Sequence, residues 1–340
     1  MLNNQSPTAR FIGKTMNDLL PWQHSQWERV MQSKSAGRLP HALLCSGPRG
    51  LGKRRFAEGL AQSLLCSNPA LDGSPCNTCR SCRLSRAGNH PDYSLVEPLE
   101  AGKPILVDQI RELCAFLGYT SQGGGWKIAL LAPAERMNVS AANSLLKTLE
   151  EPPAGSLLLL VTAAPARLPA TVRSRCQTLI FQTPAPEQAV AWLTAHTGSA
   201  AAEAGLLLSL SHGAPLTARD YAKGDYLARR QVLFNSYWAV VTGKADPVST
   251  AEGWVKDDAA EQLRWLIGWH MDMIRLKMTA QPPQLLNPDW QDALRRLAAG
   301  LPAQTLFRRL DAAIRLHSLC VTQVNLQLMI EEFLGDCAGG

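Results

Sequence analysis

Five small or apolar residues, Ala42-Leu43-Leu44-Cys45-Ser46, run directly into Gly47-Pro48-Arg49-Gly50-Leu51-Gly52-Lys53-Arg54, after which Phe56, Leu60 and Leu64 recur every four residues. No other part of the chain limits its fold so tightly. An uninterrupted apolar run of this length reads as a strand buried on both faces. The four-residue recurrence over residues 53–65 gives a helix one apolar face to lay against a sheet. Between them, glycines let consecutive backbone N–H groups converge on phosphate oxygens, with the positive end of the helix behind. Strand, glycine loop and helix in this order predict an α/β P-loop domain with a parallel sheet, in which Gly47, Gly50, Gly52 and Lys53 are the candidate nucleotide-binding residues. The eighth position departs from the pattern: Arg54 stands where an active loop has a serine or threonine whose hydroxyl holds magnesium. The competing reading is a vestigial phosphate loop.

Beyond that helix the composition turns to Asn, Pro, Gly, Ser and Arg, and Cys66, Cys76, Cys79 and Cys82 appear with the spacing C-x9-C-x2-C-x2-C. Cysteines two residues apart can turn back to share one ion, and four thiolates close a tetrahedral zinc shell, which predicts a structural rather than a catalytic metal. The alternative is a set of reduced surface thiols. The other five of the nine cysteines are scattered, unlike the disulfide framework of a small secreted domain. Arg80, Arg83 and Arg86 lie around the cysteines, and a zinc-containing nucleic-acid-binding module is the competing reading they suggest. No aromatic residues are interleaved there to stack on bases, so a solvated basic face is the preferred reading.

Residues 93–96 read as a second strand, and Asp108 is positioned to cap a helix carrying Ile110, Leu113, Cys114 and Leu117. After Gly123-Gly124-Gly125, residues 127–132 form another apolar strand. Active P-loop ATPases end this strand on an aspartate that organises magnesium, usually followed by a glutamate; here the positions hold Ala132 and Pro133. Glu135 lies two places too far along and reads as a solvated loop acid. Two separate parts of a hydrolytic site are therefore missing. Asn138 or Ser140 opens a helix lined by Ala142, Leu145, Leu146 and Leu149, which Pro152 and Pro153 stop. Strands follow at 157–161 and 178–181.

At 340 residues the chain exceeds one ordinary domain. Its 46% hydrophobic and 18% charged content supports packed cores rather than disorder. Residues 1–15 read as a flexible tail, with Met16 an alternative start to Met1. Pro184 and Pro186 mark a boundary, followed by helices at 189–193 and 201–210, the second ended by Gly213. From Tyr226 onward Leu263, Leu266, Ile267 and Ile274, and later Leu306, Leu310 and Ile314, recur at helical spacing without strand alternation. Trp265, Trp269, Met271 and Met273 read as packing residues. A formal charge of +6 mildly favours polyanionic partners without naming one. No apolar run reaches the roughly 18 residues of a membrane span, and the N-terminus lacks the apolar core of a secretion signal, so the expected location is the cytoplasm. The seven histidines are dispersed and receive no catalytic role.

Two further segments, Leu145-Leu146-Lys147-Thr148-Leu149-Glu150-Glu151-Pro152-Pro153 and Ser174-Arg175-Cys176, resemble the signature segments of bacterial clamp-loader subunits of DNA polymerase III, members of the AAA+ superfamily. Two types in that family share a four-cysteine module after the P-loop helix, the tau/gamma type and the delta-prime type. Arg54, Ala132 and Pro133 resemble the second, in which hydrolytic residues are commonly lost; an active tau/gamma-type ATPase is the alternative. The resemblance implies a P-loop domain over residues 16–183 with a zinc module at 66–90, a helical lid at 184–225 and a helical collar at 226–340. It implies a stator-like member of a five-subunit ring, beside tau/gamma and delta subunits, that helps load the sliding clamp onto primer-template DNA. It also implies that Arg175, flanked by Ser174 and Cys176, reaches ATP bound by the neighbouring subunit. Arginine suits that task, since its planar guanidinium shares several N–H groups with phosphate oxygens. The competing reading of Arg173 and Arg175 is surface ion pairing.

Overall fold

A computed structural model describes residues 19–100, 102–255, 258–282, 284–320 and 325–339. The expected tail at 1–15 and the choice between Met1 and Met16 lie outside the described residues. The apolar run Ala42–Ser46 is buried at every position and forms strand β1. It is joined by β2 (Tyr93–Val96), β3 (Lys127–Leu131), β4 (Ser156–Thr162) and β5 (Gln177–Ile180). The order across the sheet is β2-β3-β4-β1-β5 and every pairing is parallel. With β1, β3 and β4 buried along their whole length, the continuous apolar runs have the explanation expected of a parallel sheet covered on both faces.

Among the described residues, six α-helices accompany the sheet: α1 (His24–Ser35), α2 (Lys53–Leu65), α3 (Arg80–Arg86), α4 (Val107–Gly118), α5 (Val139–Glu150) and α6 (Ala170–Arg173). Ile110, Leu113 and Leu117 of α4 and Leu145 and Leu149 of α5 share one core with Leu44, Leu131, Leu158 and Leu160 of the strands. The bounds of α2 are those the sequence predicts. Asn138 caps α5, its side-chain oxygen accepting the Ala141 N–H at 2.8 Å. Asp108 does not cap α4, contrary to expectation. The cap position is Leu106, whose N–H is taken by the Gln109 side chain at 3.1 Å, which leaves Asp108 in the first turn paired with Arg111. The short α3 and α6 have no apolar periodicity long enough to announce them.

One compact unit ends at Pro184 and a second begins at Ala185. The second is helical throughout its described residues: α7 (Pro186–Thr197), α8 (Ala201–Leu210), α9 (Pro215–Lys223), α10 (Tyr226–Val241), α11 (Pro247–Val255), α12 (Ala259–Met278), α13 (Gln291–Ala299), α14 (Ala303–Leu319) and α15 (Leu326–Ala338). Pro186 opens α7, where a missing N–H costs nothing, and the helix runs well beyond the predicted 189–193. Trp265, Trp269 and Met273 are buried in the core of this unit with Tyr237, Leu266 and Leu306. Among the described residues no helix is long and apolar enough to cross a membrane.

Candidate nucleotide loop, cysteine cluster and arginine corner

The loop between β1 and α2 keeps the backbone of a phosphate cradle. Gly47 has φ 151° and packs so closely under Phe181 that any Cβ would run into its carbonyl oxygen. Gly52, at φ 78°, caps α2, a left-handed conformation in which a side chain is strained. The Leu51 carbonyl is fixed by the Trp22 indole N–H at 3.0 Å and the Gln23 amide at 2.8 Å.

Two cations of this segment, Lys53 and Arg54, bond within the protein, while Arg49 is exposed. Lys53 is 6% exposed, and its Nζ donates to the carbonyls of Gly47 at 2.6 Å and Pro48 at 2.5 Å. Burial pulls its pKa down to about 8, against the opposing pull of Glu135 and Cys45. Arg54 pairs with Glu58 at 2.9 Å and with Glu97, just past β2, at 2.8 Å. Where a hydroxyl would ligate magnesium there is thus a guanidinium neutralised by two carboxylates. Glu58 is nearly buried, and burial pushes its carboxyl up despite Arg54. At the end of β3, Ala132 is buried and joined to Pro133 by a cis peptide bond. Glu135 corrects the expectation of a solvated acid: one oxygen accepts the Ala163 N–H at 3.2 Å, the other is buried without a hydrogen-bond partner, and its charge acts on Lys53.

The four cysteines are brought together. One sulfur from each of Cys66, Cys76, Cys79 and Cys82 lies within 4.8 Å of the others, with Cys66 to Cys76 at 3.5 Å and Cys66 to Cys79 at 3.9 Å. A tetrahedron of metal–sulfur bonds of roughly 2.3 Å has edges of roughly 3.8 Å, so the donors fit one ion. Backbone N–H groups of Cys76, Cys79 and Cys82 donate to the sulfurs of Cys66, Cys76 and Cys79 at 3.3, 3.4 and 3.3 Å. Hydrogen bonds from Thr78 and the Cys79 N–H bring Cys76 down to about 6, whereas burial pushes Cys82 up. A divalent ion would favour the thiolate at all four positions. The cluster is tied to the sheet by His90, which bonds Ser81 Oγ through Nε2 at 2.8 Å and accepts the Asp92 N–H on Nδ1 at 3.1 Å. Sequence reading left this histidine without a task; the tie is structural.

The arginine corner lies between α6 and β5. Cys176 is buried and its thiol is pushed up to about 11 by that burial, which makes it a packing residue. Ser174 is exposed and its hydroxyl donates to the Thr171 carbonyl at 3.2 Å. The Arg175 side chain is 36% exposed and pairs through Nη2 with Glu150, the last residue of α5, at 2.7 Å. Its Nη1 donates to Thr171 O at 2.9 Å. The ion pairing expected of the competing reading is therefore present within the chain, but on an open face. Arg173 instead lines a cleft of about 630 Å³ beside Gly47, Pro48 and Phe181. The pairing of Glu150 with Arg175 was missed although the residue sits inside a recognised segment.

Fold and sites together define a P-loop-class α/β unit that keeps the nucleotide loop without the magnesium hydroxyl or the strand-end acids, followed by a helical unit. Residues 22–185 match the family described as DNA polymerase III, delta subunit, and residues 224–338 match DNA polymerase III, delta subunit, C terminal. The delta-prime subunit of Pseudomonas aeruginosa DNA polymerase III is 37% identical, over 94% of this chain and 97% of that protein. That of Escherichia coli is 35% identical over 92% and 93%. A gamma subunit-related protein of Thermotoga maritima superposes with a TM-score of 0.46 at 17% identity, over 93% of this chain and 99% of that one. The chain belongs to the delta-prime subunit family of bacterial DNA polymerase III.

Proposed function

We propose that this chain is the stator-like subunit of the DNA polymerase III clamp loader and donates Arg175 to ATP held by the neighbouring subunit. The observation that carries this reading is a difference between two arginines of similar exposure: Arg54 is held by Glu58, which is buried, and by Glu97, whereas the carboxylate paired with Arg175 is that of half-exposed Glu150. A P-loop of this kind has no group to hold magnesium or polarise water, so ATP turnover belongs to the complex. On this reading the partners are tau/gamma and delta subunits, with the sliding clamp and primer-template DNA engaged through the assembly. Residues 184–225 act as lid and 226–340 as collar, the place of action is the cytoplasm, and the four cysteines hold a structural zinc ion.

Magnesium-dependent ATP turnover tests this directly. The purified chain gives none, and Lys53→Ala changes nothing. Turnover that Lys53→Ala abolishes would instead give this chain a working ATP site of its own. In the assembled loader, Arg175→Ala slows hydrolysis at the completed site by about 10³-fold, the lower end of the usual worth of such an arginine; undiminished turnover refutes the donor role. Metal analysis finds one zinc per chain, lost in Cys76→Ser.

A further inference from the structure

The two family-signature segments are physically joined. Glu150 Oε1 and Arg175 Nη2 are 2.7 Å apart, while Nη1 of the same guanidinium donates to Thr171 O at 2.9 Å and lies 3.5 Å from Ser174 Oγ. Both side chains spring from fixed backbone. Leu149, immediately before Glu150, and Val172 and Cys176, either side of Arg175, are buried in one apolar cluster with Leu145. Glu150 is 50% exposed, and an ion pair so open to solvent adds little to folding stability. Its effect falls on where the guanidinium points.

We infer that Glu150 is a positioning residue for Arg175. It grips one edge of the guanidinium and leaves the Nε–H and a second Nη2 proton to meet phosphate oxygens of the neighbouring subunit's nucleotide. The inference rests on the arginine-donor reading above. An arginine side chain has many rotamers to lose, and a fork held before its target arrives loses fewer on binding. The guanidinium stays charged throughout, so the carboxylate directs it without discharging it.

The test is steady-state ATP turnover by the assembled clamp loader, with kcat and KM resolved. Glu150→Ala lowers kcat by about tenfold, within the roughly 10²-fold that a misplacement of about 1 Å can cost. KM for ATP does not change, because the neighbour's own loop binds the nucleotide. Glu150→Gln, which keeps an oxygen acceptor, is intermediate. In an Arg175→Ala background neither substitution has a further effect. The positioning role is overturned if Glu150→Ala matches or exceeds the unmodified rate, or if it slows both backgrounds by the same factor. Should Glu150→Ala not assemble, the same cycle on Glu150→Gln decides. If Arg175→Ala alone leaves turnover intact, the donor reading fails first and this inference falls with it, an outcome distinct from the others.

Discussion

Arg54 and Arg175 are both arginines paired with glutamates on the same α/β unit, and their side chains are similarly exposed, yet the glutamates that hold them differ in burial. Arg54 lies between half-exposed Glu97 and the buried Glu58, and it is Glu58 that ties its charge to the fold. Arg175 meets a glutamate that is half exposed, over backbone pinned by Val172 and Cys176. A cation near a phosphate-binding architecture is informative only together with its partner's burial. A buried partner makes it a structural group; an exposed one leaves it free to change partners, because the pair is weak in water.

That contrast breaks most readily at Arg175. The loss of about 10³-fold in turnover of the assembled complex should come with almost no change in the chain's own thermal stability, within about 0.5 kcal/mol. A drop in stability comparable to the loss of turnover would mean that this arginine is structural too, and the distinction between the two corners would dissolve.

Arg54→Ala should give the mirror image. It leaves Glu58, 4% exposed, without its guanidinium. Breaking a fully buried pair costs about 3–5 kcal/mol; with Arg54 itself 34% exposed, about 1–2 kcal/mol is expected after allowance for solvent screening. Turnover of the assembled loader should not move. The pH dependence has a definite sign. Burial already raises the Glu58 carboxyl above its ordinary range, and loss of Arg54 raises it further. The folded variant therefore holds that proton more tightly than the unfolded chain. Its stability deficit should be larger at pH 8 than at pH 5, and a deficit independent of pH would assign it to lost packing alone.

How much of this was legible in the sequence depended on whether the cause was local. The buried strands β1 and β3, the glycine loop and helix α2 follow from adjacent residues, and so did the missing chemistry at Arg54, Ala132 and Pro133. The cysteine spacing likewise fixes which four sulfurs can meet. Local signals failed where a tertiary partner decided the outcome. Asp108 looked like a cap, but Gln109 supplied the acceptor for Leu106. Glu135 looked solvated until the fold carried Ala163 and Lys53 to it. Ile314 fitted an apolar stripe, yet it is 47% exposed, and α14 buries Leu306, Arg309, Ala313 and Leu316 instead. Glu150 was visible as a letter of a motif, but its pairing with Arg175 depends on how the C-terminal end of α5 meets the turn after α6.

The smallest expected effect concerns Lys53. Its folded pKa, about 8, lies below the ordinary 10.5 because burial disfavours the charged form. Between those values the unfolded chain binds more protons than the folded one, so this residue's contribution makes the fold more stable as pH rises from 8 toward 10.5. Lys53→Met removes that titration. Other lysines and tyrosines titrate in the same range, so the informative quantity is the stability of the unmodified chain minus that of Lys53→Met, measured by denaturant unfolding at several pH values. It should climb across the window. A flat difference would mean that the carbonyls of Gly47 and Pro48 offset the burial of the ammonium completely. The two carbonyls would then satisfy the buried ammonium at no cost to the fold.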